Sequence, residues 1–314
     1  MDPGLSGLSV PGDTLAWLLD PEDPSRRYLA LTKLLGKDED SAVVRASRVG
    51  IPRNPPAVDI LQAQYPQGYW MHSGIGASPR YRATLWQILI LAQLGLGRCG
   101  PLDRAVEHIF SANQRKDGAF RASKEPDDAP IDLNASLLWA LETLGYGDEA
   151  EVRSAWQWII GEVEQRTMEL GRRPQVSAWE VKVVWALNAR LGGQDGARQD
   201  GAGLDGARLD ALRARLAESL LARRPTPEAS DPAWFRLVFP LTEGADFLQW
   251  LTVLVDAGYG DDLRLRPARI WLNERRQPEA RWSLERIPGK LWADVGAPGE
   301  FNKWITIRAL AVVP

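Results

Sequence analysis

A repeat near 50 residues constrains this chain more than any other feature, because a fixed period decides which segment packs on which. Leu-Gly-Leu-Gly at 94–97 returns as Leu-Gly-Tyr-Gly at 144–147, with a close relative, Ala-Gly-Tyr-Gly, at 257–260. The intervals are 50 and 113 residues, one period and about two. A second marker keeps the same beat. Glutamine follows an apolar helical run at Gln64, Gln114 and Gln277, with a fainter copy at Gln165. Each Gly pair ends a run of helical periodicity, as glycine does where a helix closes in the left-handed conformation.

Runs that end this way, or that align with those that do, number six, at 25–36, 82–97, 133–147, 179–193, 245–260 and 301–313. They are apolar around most of their circumference, as helices surrounded by protein must be. The segments between them, 101–114, 151–165, 209–224 and 263–277, carry a charged face suited to an outer layer. Alternating inner and outer helices predict an all-α fold, an (α/α)6 toroid of about six helical hairpins in one domain over 1–314. An open solenoid is the competing architecture, since periodicity does not fix closure. Residues 12–50 read as a HEAT-like N-terminal hairpin. The DGAR-like unit recurring over 192–208 reads as a low-complexity surface loop leading into an outer helix.

The composition excludes several classes of function. Lys and Arg total 38 against 41 Asp and Glu, a formal charge of -3, and neither sign gathers into a block that would attract nucleic acid. A single cysteine, Cys99, rules out an internal disulfide and fits a reducing compartment, so a cytoplasmic protein is expected. The first residues lack a basic stretch and a long apolar core, and no uninterrupted apolar run reaches roughly 18 residues, so neither export nor a transmembrane segment is expected. Fourteen tryptophans exceed the six tyrosines and six phenylalanines, more than simple core filling calls for.

Gln64-Tyr65-Pro66-Gln67-Gly68-Tyr69-Trp70 matches a Q-x-x-x-G-x-W pattern, and Gln114-Arg115-Lys116-Asp117-Gly118-Ala119-Phe120 matches it with Phe for Trp. Gln277 and Trp282 give a shortened third copy. These QW-type repeats resemble those of squalene-hopene cyclases and related terpene cyclases, whose toroids also occur in protein prenyltransferase β-subunits. The resemblance implies the ring fold, a hydrophobic, isoprenoid-class ligand in the central cavity, and acid-initiated cyclisation. A glutamine amide can tie a helix end to the next hairpin while the indole packs over the glycine turn, so Gln64, Trp70, Gln114, Phe120, Gln277 and Trp282 are expected to be structural.

The catalytic signatures of the resembled families are absent. No D-x-D-D occurs, and Asp38-Glu39-Asp40, Asp127-Asp128 and Asp261-Asp262 read as solvated loop charges. The zinc of protein prenyltransferases needs Asp, Cys and His ligands. With only Cys99, His72 and His108 here, no metal site and no cofactor is expected.

Aligning the inner runs on their terminal glycines puts Asp23, Asp132, Glu180 and Asp246 at one level, with Glu300 placed similarly. Acids favour helix N-termini through capping and the macrodipole, by about 0.3–1 kcal/mol each, which explains them without a function. The functional alternative has them converge on a cavity mouth together with Arg82, Lys182 and Lys303, where crowded carboxyls can raise one another's pKa. On that reading Asp246, Asp132 and Glu180 are the candidate catalytic acids, and Trp86, Trp139, Trp179, Trp250 and Arg82 are the candidate substrate-binding residues. Trp185 and Trp304 also lie on inner runs. Two other functions fit the sequence: a non-catalytic helical module binding a lipid or a protein partner chain, and a carbohydrate-active (α/α)6 barrel with paired carboxylates.

Overall fold

The computed structural model describes residues 10–74, 76–167, 175–192, 206–227 and 230–313. Among them the chain is all-helical: no β-strand is present, only three isolated bridges. The helices are α1 (Gly12–Leu18), α2 (Pro24–Leu29, continued by a π-turn at Ala30–Leu34), α3 (Ala42–Gly50), α4 (Ala57–Gln62), α5 (Thr84–Gln93), α6 (Gly100–Asn113) and α7 (Ile131–Thr143). They continue as α8 (Ala150–Thr167), α9 (Ala178–Leu191), α10 (Gly206–Ala222), α11 (Phe247–Leu254, continued by a π-turn at Val255–Tyr259), α12 (Arg266–Asn273) and α13 (Lys303–Leu310). No helix among the described residues is long and apolar enough to cross a membrane. Most of the DGAR-like stretch, residues 193–205, lies outside the described residues. Its last part is helical, because α10 already begins at Gly206.

The six apolar runs fold as α2, α5, α7, α9, α11 and α13. Every residue of α5 is buried, whereas α6 buries only Leu102, Ala105, Val106, Ile109 and Asn113, the stripe that its periodicity predicts. The helices α7, α9 and α11 lie side by side, α7 and α9 in the same direction. Trp139 of α7 stacks on Trp185 of α9, Glu142 near the end of α7 pairs with Arg190 near the end of α9, and Asn188 of α9 donates to the carbonyl of Val253 in α11. A non-helical segment at 237–242 laces three of these helices. Leu241 exchanges two hydrogen bonds with the Gln93 amide of α5, Phe239 stacks on Trp304 of α13, and the Val238 N–H donates to Asp246 at the start of α11. One contiguous core runs from Leu18 to Val313.

The repeated turns are staples of one design. Gln64 Nε2 donates to Gly68 O and to Pro101 O in α6, and Gln114 Nε2 donates to Gly118 O and to Glu151 O in α8. The aromatic residue that closes each turn donates its backbone N–H to the first turns of the next apolar helix, Trp70 to Thr84 Oγ1 and Phe120 to Asn134 Oδ1. The third turn repeats this with Trp282 N–H to Thr306 Oγ1, and its indole donates to Leu272 O as the Trp70 indole does to Ile60 O.

These bonds correct the register of the third copy. Gln277 N–H donates to Arg281 O, as Tyr65 does to Tyr69 O and Arg115 to Ala119 O. Arg276 therefore occupies the glutamine position, and Ala280, at φ 57°, occupies the glycine position. The copy is full-length, with Arg and Ala in place of Gln and Gly.

The two ends of the described chain meet. α1 sits on the third turn, where Thr14 Oγ1 donates to Glu279 O and accepts from Arg281 Nε. Beside it Lys303, the first residue of α13, pairs with Asp23 at 3.1 Å, and the Arg26 guanidinium lies 4.3 Å from the centre of the Trp304 ring. The helix α2 does not lie level with α5. Ser25 Oγ in its first turn donates to Leu94 O, just past the last residue of α5, and Tyr28 packs beside Gly95. Asp23 is thus at the far end of α5 from Thr84, not level with its first turn as the glycine alignment suggests.

Candidate functional site

The side of α7 that other helices leave uncovered is narrow. From Leu133 to Leu141 only Trp139 is not buried, and Asp132, seven residues earlier and so on the same face, is also half-exposed. The Trp139 ring stacks on Trp185 of α9 with centroids 3.7 Å apart and planes at 16°. One turn before Trp185, Lys182 is 0% exposed, with its Nζ 5.0 Å from the centre of that indole. The nitrogen has no hydrogen-bond partner within the protein. Burial pushes the Lys182 ammonium down to about 7, Arg308 presses in the same direction, and Asp246 and Asp132 oppose them. Four helices therefore contribute to one charged cluster: α7 with Asp132, α9 with Lys182, α11 with Asp246 and α13 with Arg308.

Asp246 is 2% exposed and fully engaged. It caps α11 by accepting from Gln249 N–H, accepts a second backbone bond from Val238 N–H, and pairs with Arg308 at 2.9 Å. Every group bonded to it is a donor, so both carboxylate oxygens are already used as acceptors. Gln249 is itself buried, and neither atom of its side-chain amide has a partner in the protein. A cavity of about 100 Å3 adjoins Asp246, with Val238, Leu241, Trp234 and Arg286 among its walls.

Glu180 takes a different course. It completes a capping box with Ser177 at the start of α9 and is bonded by Arg223, at the end of α10. Its carboxylate belongs to the seam between α9 and α10, so Asp132 and Asp246 act on Lys182 through space while Glu180 is held elsewhere.

The remaining predicted residues divide in the same way. Trp139 lies on the cluster. Trp179, one turn before Lys182, is 9% exposed with no partner for its indole N–H. Trp250 stacks on Phe247, which packs edge-on against Trp271 of α12, so it fills the space between two layers. The Trp86 indole donates to Ala77 O and anchors the loop before α5. The Arg82 guanidinium lies 3.7 Å from the Trp292 ring centre, and the Trp292 indole donates back to Arg82 O.

A second, open cavity of about 640 Å3 lies at the first staple, walled by Tyr65, Tyr69, His72 and Lys124 among others. The His108 ring packs against Tyr69 at a tilt of 42°, and burial lowers its pKa. Cys99 precedes α6, and burial raises its thiol. Among the described residues no three His, Cys, Asp or Glu side chains gather in a group that could hold a metal ion.

The sequence alignment did not single out Arg308, although a lone arginine inside the apolar run at 301–313 is a signal in itself. Lys182 gives the same signal within 179–193. No family model matches the chain, and no curated protein matches it.

Proposed function

We propose that the chain closes into an (α/α)6 toroid of the squalene-cyclase and prenyltransferase type, and that it binds a hydrophobic, isoprenoid-class ligand in its interior beside Lys182. Closure is supported by α1, which sits on the third staple as α6 and α8 sit on the first two, and by the pairing of α13 with α2. The site is carried by one observation: a fully buried amine without a partner, beside a stacked indole pair and opposite two carboxylates. Ligand sites combine apolar, aromatic walls with a few convergent polar groups of displaced pKa, and this cluster has that composition. Acid-initiated cyclisation by Asp246 or Glu180 is not part of the proposal, because each is held by an arginine.

Titration with farnesol, geranylgeraniol and squalene tests the reading. The ligand is expected to quench the fluorescence of the Trp139–Trp185 pair, and Trp139→Phe to remove most of the change. If none of the three compounds alters the emission or is retained by the protein on gel filtration, the ligand-binding reading fails.

A further inference from the structure

We infer that Lys182 is a covalent attachment point for an apolar aldehyde or ketone, which its amine takes up as an imine within the helical interior. The inference rests on the ligand-binding reading above and specifies the ligand's reactive group. Two lysines on inner helices make the contrast that carries it. Lys303 is nearly buried and meets its charge in the ordinary way, at 3.1 Å from Asp23 and 3.6 Å from Asp20. Lys182 is fully buried and makes no hydrogen bond. Its carboxylates, Asp132 and Asp246, act on it only through space, and the latter is already engaged by Arg308. An amine placed to hold the fold together would be paired.

The surroundings suit what such an amine can do. Desolvation keeps much of it neutral near pH 7, and a neutral amine is the nucleophilic form. Its lone pair bonds to the carbonyl carbon as the C=O π bond opens, and one proton passes from nitrogen to oxygen. The resulting hydroxyl then leaves as water with the second proton from nitrogen, and the C=N bond forms. No oxidant or reductant is required. The imine becomes cationic when it takes up a proton, and Asp132, Asp246 and the face of Trp185 are placed to stabilise that charge. The same groups disfavour a bound anion, which directs the choice to a carbonyl compound over a carboxylate or phosphate. The indoles of Trp139 and Trp185 favour an apolar one.

The experiment incubates the full chain with farnesal, traps with sodium borohydride, and maps the modified peptide by mass spectrometry, with farnesol titrated in parallel. One farnesyl group per chain is expected on Lys182, with a yield more than about tenfold above that at any surface lysine, because a surface amine is almost wholly protonated at neutral pH. Trapping at Lys182 should rise between about pH 6 and about pH 8, as the amine loses its proton. Lys182→Met should lose the adduct while unfolding in urea as cooperatively as the native chain, which separates loss of the amine from loss of the fold. Quenching by farnesol with no adduct at Lys182, or adducts confined to surface lysines, overturns the covalent inference and leaves the binding reading standing. Neither quenching nor adduct overturns both.

Discussion

Replacing Lys182 with methionine is expected to stabilise the protein at neutral pH and to remove a rise in stability that the native chain shows between about pH 7 and about pH 10. In the unfolded chain the Lys182 amine holds its proton up to its ordinary 10.5, whereas in the fold it releases it near 7. Across that window the unfolded state binds one more proton, so stability climbs with pH. Below it both states are protonated, and this group contributes no further slope. The folded protein therefore bears the full cost of an enclosed ammonium at neutral pH and below, on the order of 5 kcal/mol, and almost none at pH 10. Methionine keeps the length and bulk of the side chain without the charge. Asp132, Asp246 and Arg308 are the charged groups that act on the amine, and all three are present in both proteins. The difference between the two unfolding free energies, measured in urea from pH 6 to pH 10, isolates Lys182. It should be largest at the acid end and shrink towards the alkaline end. Parallel curves would show that the amine is solvated or paired in solution.

How far the sequence discloses this fold depends on whether a feature is local. Glycines that end helices and glutamines that follow them are local signals, and the helices they imply, with the run at 301–313 that aligns with them, are present as α2, α5, α7, α9, α11 and α13. The third staple misleads because its identity lies in backbone bonds, which Arg276 and Ala280 make as well as Gln and Gly do. The displacement of α2 along α5 is invisible to an alignment on terminal glycines, which orders residues within a helix but not helices along an axis. The site shows the same divide. Acids at helix starts can be read off, but α9 is buried on every side from Trp179 to Leu187, so no polar face tells that Glu180 is bonded by Arg223 while Lys182 is left without a bond. Charges within apolar runs are the signal that survives, and Lys182 and Arg308 both qualify.

The staples should be the most mutation-sensitive surface features of the molecule, and the sharpest case is Gly68→Ala or Gly118→Ala. Gly68 holds φ 91° and Gly118 holds φ 97°, a region that L-residues rarely enter. A Cβ added to either would stand 2.3 Å from a carbonyl oxygen of the following outer helix, that of Arg104 in α6 or Ser154 in α8. Neither obstacle is a flexible side chain, so the helix itself must move. That movement would pull on the Gln64 bond to Pro101 O or the Gln114 bond to Glu151 O. The backbone term is about 1–2 kcal/mol and overpacking adds about 1–3 kcal/mol, so each variant should lose about 2–5 kcal/mol. Ala280 supplies the control within the same chain. It occupies the equivalent position at φ 57° with its methyl group buried, so the third staple accommodates a Cβ that the first two exclude. Ala280→Gly should therefore shift the urea midpoint far less than either glycine substitution. If Gly68→Ala and Gly118→Ala unfold at the native midpoint, the outer helices do not press on these turns, and the stapled packing described for α6 and α8 is wrong.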